Sequence, residues 1–190
     1  LTTYDGNEAL ANKQLVVALE ALEAYPLDAQ LLCAMGGYLQ NQGRLDLAER
    51  SFATAVEYGQ VDLATWHLSE IAKMAAVCLG LSRQLLGKNE EALKGLKAAV
   101  GRYPDSDRVC RCLLDLLIKM RRTDEAVGLA GSMPRAENVE SFVSAVRGAC
   151  KAVEQEWLGA LGYLQSAYAA GCRDPLCLRW LTVTYLSNGQ

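Results

Sequence analysis

One alanine returns along the chain at Ala48, Ala92, Ala126 and Ala160, and the last two steps are each 34 residues. It sits in a frame of five positions that returns with it. The clearest copy is Gly87, Ala92, Leu96, Ala99 and Pro104. Moving on by 34 gives Arg121, Ala126, Ala130, Met133 and Asn138, then Gln155, Ala160, Leu164, Ala167 and Cys172. An earlier copy, Gly43, Ala48, Phe52, Ala55 and Gln60, stands 44 residues before the first. A period of this size is too short for a domain and long enough for two helices. It implies hairpins that bury their apolar faces only against neighbouring copies.

The frame has a packing logic. The stretch "GKNEEALKGLKAAVGRYP" reads as a helix between a glycine and a proline, with small residues seven apart at Ala92 and Ala99. Alanine at the points of closest approach lets helix axes come near, where leucine would hold them apart. Phe52, Leu96 and Leu164, four residues after the first alanine, fill the space left open. Gly43 and Gly87 end the first helix of a pair in a conformation costly for other residues. Asn89 and Asp124, with Glu91 and Glu125 close by, suit the start of the second helix. Pro26 and Pro104 close a repeat, each followed within two residues by an aspartate, Asp28 or Asp105, that can cap the next helix.

Composition agrees. Hydrophobic residues make up 51% of the 190, charged residues 22%, and there are only four prolines. Ala and Leu dominate, which favours an all-helical protein with a buried core.

Each turn is preceded by a related stretch: "LLCAMGGYLQNQG", "AAVCLGLSRQLLG", "CRCLLDLLIKMR" and "LRWLTVTYLSNG". In the first two a glycine, Gly36 or Gly80, follows an apolar residue. The chain here resembles the tetratricopeptide repeat (TPR) family, whose pattern is W-x-x-L-G-x-x-Y followed by Ala, a large apolar residue, Ala and Pro on a 34-residue period. The Tyr of that pattern stands as Leu39, Arg83, Leu117, Lys151 and finally Tyr185. The resemblance therefore lies in the spacing of repeat starts at Lys73, Asp107, Ser141 and Pro175. It implies an all-α, right-handed α-solenoid of antiparallel helix pairs. Residues 1–190 are expected to form a single solenoid domain: a half repeat at 7–26, repeats at about 28–59, 62–104, 106–133 and 137–171, and a final helix at 175–187.

Three departures stand out. Ten extra residues precede Lys73, with no proline or glycine until Gly80, and predict a first helix about three turns longer than usual, with Leu63 and Trp66 on its protruding part. Pro134 falls where a second helix should still be running, so that helix ends near Met133. The chain starts at Leu1 with half a repeat and finishes on a first helix, so it is expected to be a piece of a longer protein.

Little points to chemistry. The net charge is -3, and the longest basic run is Arg121–Arg122, so no nucleic-acid surface is expected. The apolar run "MAAVCLGL" is too short to span a bilayer, and no membrane partner is expected. Seven scattered cysteines argue for buried free thiols in a reducing cytoplasm rather than a disulfide framework. "CRC" at Cys110–Cys112 lacks a metal-site gap, and "CRDPLC" has no second pair near it, so no metal is expected. The single histidine, His67, has no nucleophile indicated beside it and reads as structural. "GKNEEALKG" lacks the rest of a phosphate loop. Neither catalysis nor a cofactor is expected.

The resemblance implies instead a concave face, lined by first helices, that holds a peptide or partner domain. The Lys/Asn clamp with which some TPR domains grip a C-terminal carboxylate is missing, since Cys33 and Gly37 occupy its first positions. A cationic and aromatic patch is expected in its place: Arg108, Arg111, Arg179 and Trp180, with Asp115, Lys119, Gln40 and Asn41 on the same face, holding an acidic or mixed segment. Two functions follow. The first is a non-catalytic protein-protein interaction scaffold. The alternative is a TPR arm of a larger bacterial enzyme such as a glycosyltransferase, whose inter-repeat turns "YPLDAQLL" and "RYPDSDRV" resemble. Exposed end helices can also pair between copies as a homodimer.

Overall fold

The computed structural model describes residues 13, 15–58, 66–133 and 138–189, the side chains of 66–69 excepted. Every regular element among them is a helix. The chain divides into two compact units, Leu1–Tyr103 and Pro104–Gln190. The first holds α1 (residues 15–24), α2 (Ala29–Asn41), α3 (Leu45–Tyr58), α4 (Trp66–Leu85) and α5 (Asn89–Arg102). The second holds α6 (Asp107–Lys119), α7 (Thr123–Ser132), α8 (Val139–Val153), α9 (Trp157–Ala169) and α10 (Pro175–Ser187).

Both units pack by one rule. A first helix touches its own second helix and the next first helix; the second helix also touches that next first helix. In the first unit this joins α2 to α3 and α4, α3 to α4, and α4 to α5. In the second it joins α6 to α7 and α8, α7 to α8, α8 to α9 and α10, and α9 to α10.

The periodic alanines stand at the centre of this packing: Ala48, Ala92, Ala126 and Ala160 are each 0% exposed. Phe52, Leu96 and Leu164, one turn on, are buried as well. Their space comes from a glycine on the facing first helix. A Cβ on Gly36 would come within 2.7 Å of the Phe52 ring, one on Gly80 within 2.9 Å of Leu96, and one on Gly148 within 2.6 Å of Leu164 Cγ. The α6–α7 pair reverses the sizes. Leu114 takes the glycine position and Ala130 the large one, and both are fully buried. Volume is conserved across the pair while its owner changes, as close packing requires.

The turns between paired helices repeat in backbone as well. Gly43 (φ 72°), Gly87 (75°), Arg121 (58°), Gln155 (66°) and Gly189 (70°) all adopt the left-handed conformation at one register position. In the first four turns the next residue donates its N–H to the carbonyl five residues back: Arg44 to Leu39, Lys88 to Arg83, Arg122 to Leu117 and Glu156 to Lys151, at 2.8–3.0 Å. This is the Schellman arrangement that satisfies the end of a helix. That same residue's carbonyl then accepts from Ala48, Ala92, Ala126 or Ala160, starting the second helix.

One sequence expectation needs correction. Asp28 does cap α2, its Oδ1 accepting from Leu31 N at 2.8 Å, but Asp105 does not cap α6. Ser106 holds the cap position there without a side-chain bond, and the neighbouring Asp107 turns to Arg111. The long helix α4 has 20 described residues against 13 in α2, seven more or about two turns, and the residues just before Trp66 lie outside those described. Leu63, and the side chains of Trp66 and His67, lie outside the described residues. The helix α7 stops at Ser132, with Met133 in extended conformation as its cap.

Candidate partner-binding site

The first helices of the second unit, α6, α8 and α10, carry most of the sequence-selected residues. Arg111 on α6 is held on three sides. Its Nε donates to Asp107 Oδ2 at 2.7 Å, one turn back on the same helix. Its Nη1 and Nη2 donate to the two carboxylate oxygens of Asp174, at 3.1 and 2.7 Å. Its guanidinium lies 5.8 Å from the Phe142 ring centroid on α8. Such a fork-on-fork pair is the strong form of a charged hydrogen bond. The bond to Asp174 is the main cause that lifts the pKa of Arg111 well above its ordinary value, ahead of the opposing cost of burial. Asp174 is also the N-cap of α10, with Oδ1 accepting from Leu176 N at 2.9 Å. The same carboxylate thus fixes the start of α10 and ties it to α6.

A second tie lies one turn further along, where Arg179 Nη2 of α10 donates to Asp115 Oδ1 of α6 at 2.8 Å. The Arg179 guanidinium is 5.9 Å from the Trp180 ring centroid. Trp180 Nε1 is buried and finds no acceptor among the described residues. With α6 and α10 tied across it, α8 is covered: Phe142, Ala145, Ala149 and Ala152 are all buried. A cavity of about 300 Å³ remains beside Arg111, lined by Asp107, Asn138, Ser141, Arg173 and Asp174 among others.

The structure therefore brings Arg111, Asp115, Arg179 and Trp180 together. Arg108 and Lys119 stand at the two ends of α6, both exposed. Gln40, half-buried, and Asn41, exposed, close α2 and belong to the first unit. The two residues that reorganise the patch, Asp107 and Asp174, were not selected from sequence. Asp107 stands four residues before Arg111, a helical ion-pair spacing that the sequence does display. Asp174 is 63 residues away, and only the packing of α6, α8 and α10 reveals its role.

The first unit has a different feature. The second helices α3 and α5 both lie on α4 without touching each other, and a groove of about 720 Å³ opens between them. Its floor is Ala72, Ala76 and Leu79 of α4; its walls include Ala53 and Val56 of α3, and Gly95 and Ala98 of α5. At one end Glu49, largely buried, accepts from Arg83 Nε at 3.1 Å and Lys88 Nζ at 2.6 Å. Burial alone would raise the Glu49 pKa, but these two bonds overcome it and hold the carboxyl below its ordinary range.

Two of the buried thiols are held in their protonated form. Cys33 is pushed up to about 11 and Cys177 to about 12, in both cases mainly by burial, which favours the unreactive thiol. Among the described residues no group of His, Cys, Asp and Glu is placed to hold a metal ion, and no helix is long and apolar enough to cross a membrane.

With this geometry the chain can be set beside solved structures. TTC0263, a thermophilic TPR protein in Thermus thermophilus, aligns with a TM-score of 0.56 at 22% identity, over 85% of this chain and 83% of that one. The fold is TPR-like. MamA (residues 41 to the end) from Desulfovibrio magneticus aligns with a TM-score of 0.56 at 12% identity, over 85% of each chain. A structure of Naa15/Naa10 bound to HypK-THB aligns with a TM-score of 0.55 at 17% identity, over 97% of this chain but 27% of that one. At these identities the likeness is one of fold alone. No protein-family model matches the sequence, and no curated protein matches it.

Proposed function

We propose that the chain is a non-catalytic interaction scaffold of the cytoplasm. On this reading it takes an acidic or mixed segment of a partner protein on the first-helix face of its second unit, without a cofactor. The TPR-like fold supports the scaffold class. The neighbour Naa15/Naa10, bound to HypK-THB, is an example of such a fold in a protein assembly.

One observation carries the choice of ligand. On this face Arg111 and Arg179 each already hold a carboxylate of the chain itself, Arg111 with both oxygens engaged. The same side chains, with the cations Arg108 and Lys119 on the same helix, are suited to carboxylates brought by a partner. Arg179–Asp115 is the pair open to exchange, because both side chains are well exposed (54% and 40%) and such pairs hold weakly. Gln40 and Asn41, at the end of α2, offer polar contacts of their own on the first unit.

The test uses fluorescein-labelled 12-residue peptides, one rich in Glu and one rich in Lys, titrated by anisotropy against the full chain. The Glu-rich peptide is expected to bind and to weaken about tenfold with the double reversal Arg108→Glu and Lys119→Glu. Arg111 is unsuitable for this purpose, since its loss strips two aspartates of their partner. Binding that ignores the double reversal, or that favours the Lys-rich peptide, refutes the reading.

A further inference from the structure

The groove between α3 and α5 is unused by the function above, and it has the dimensions of a docking site. Its volume, about 720 Å³, is that of a ligand cleft. The lining runs along α4 from Ala72 to Arg83 and along α5 from Ala92 to Arg102, about 15 Å, the length of a helix of about three turns. The floor side chains Ala72 and Ala76 are small enough to let another helix axis lie as close to α4 as α3 and α5 do.

The rim supplies the chemistry. Glu57 on the α3 wall and Arg102 on the α5 wall are exposed, and neither has an ion-pair partner among the described residues. Arg83, by contrast, is committed to Glu49 and Glu91. An occupant thus meets an apolar floor with one negative and one positive edge. The walls are helices whose backbone bonds are internal, so there is no strand edge for an extended peptide to extend.

We propose that this groove docks an amphipathic helix of a partner protein. Its apolar stripe faces Ala72, Ala76 and Leu79, its basic flank faces Glu57, and its acidic flank faces Arg102. The surface is separate from the first-helix face of the second unit and does not depend on it.

Three stapled helical 15-residue peptides with one leucine stripe test this on the full chain. One carries Lys on one flank and Glu on the other, one carries Glu on both, and one carries Lys on both. The mixed peptide should bind about fivefold tighter than either other, as expected for two exposed charge pairs. Glu57→Lys should transfer the preference to the all-Glu peptide, and Arg102→Glu to the all-Lys peptide. The double variant should restore the mixed one, because a helix entering in the opposite direction exchanges its flanks. Ala98→Trp, at an exposed wall position, should weaken all three at least about tenfold while leaving the thermal midpoint within about 2 °C. The proposal is overturned if Ala98→Trp binds like the parent, if the rim variants leave the order unchanged, or if no peptide binds. It is also overturned if only self-association, abolished by Ala98→Trp, is seen, which would make a second copy the occupant.

Discussion

The two units apply one packing rule and present different outer surfaces. Where α4 offers Ala72, Ala76 and Leu79 to its groove, the corresponding positions of α8, 68 residues on, are Glu140, Ser144 and Arg147. Where the α5 wall has Gly95, the α9 wall has Tyr163, whose carbonyl accepts from Ser144 Oγ at 3.2 Å. The α3 wall is 14 residues long and the α7 wall 10, since α7 ends before Pro134, the register counterpart of Val56. The inner positions, which touch the facing helix, keep their volumes in both units; the outer ones diverge from apolar and small to polar and large. Packing constrains the first set and leaves the second set free to diverge.

The largest effect tests the inner rule. Gly148→Leu alone should cost about 3 kcal/mol or more, and Leu164→Ala alone about 2–5 kcal/mol, the usual range for a buried leucine. The double variant copies Leu114 and Ala130, and its loss should fall short of the sum by at least about 1 kcal/mol. The equivalent exchange in the first unit, Gly80→Leu with Leu96→Ala, should recover more. A Cβ on Gly148 also meets the backbone oxygen of Ala160 at 3.2 Å, whereas the nearest atoms to one on Gly80 all belong to the Leu96 side chain. Urea unfolding measures both cycles, and strict additivity in each would show that the facing pairs do not share space.

A smaller effect concerns pH in the first unit. Glu49 in the first unit has a folded pKa below its ordinary value of 4.5, so its contribution is complete above that value and is lost as pH falls through the depressed one. Glu49→Gln should cost about 1 kcal/mol at pH 7. The deficit should shrink as the pH drops below about 4.5, since the parent then loses the same charge. A deficit that stays constant from about pH 7 to about pH 3 would mean that the carboxylate charge contributes nothing.

The inner frame was legible in the sequence because small residues at fixed spacing have one geometric meaning. Ala48, Ala92, Ala126 and Ala160 are equivalent in the structure, as their spacing requires. The reversal at Leu114 and Ala130 is also written in the sequence, but only for a reader who compares the two positions as a pair. Asp28 and Asp105 look alike in sequence, and their fates differ because Arg111 draws Asp107 and because Ser106 already holds the cap position. The Arg111–Asp174 tie joins residues 63 apart and depends on how close α6 and α10 come across α8, a distance that no local pattern sets. The groove over Ala72 and Ala76 was hidden for a related reason. Alanine spaced four apart signals closeness to something, and only the separation of α3 and α5 shows that the place is empty.

The smallest effect concerns the turns. The first unit uses Gly43 and Gly87 at the left-handed position, and the second uses Arg121 and Gln155 there, at φ 58° and 66°, before Gly189 in its last turn. A side chain in that conformation costs roughly 1–2 kcal/mol, while glycine loses about 0.4–1 kcal/mol more chain entropy on folding. Both side chains are exposed, so their removal sacrifices no core contact. The balance predicts that Arg121→Gly and Gln155→Gly each stabilise the chain by about 0.5 kcal/mol, whereas Gly43→Ala and Gly87→Ala each destabilise it by about 1 kcal/mol. Opposite signs at equivalent positions would show that the turn geometry is imposed by the packing of the paired helices and that the residue present only sets its cost. If glycine at 121 or 155 lowers the urea midpoint, the side chain there makes a contribution beyond its backbone, and the two units differ in more than turn strain.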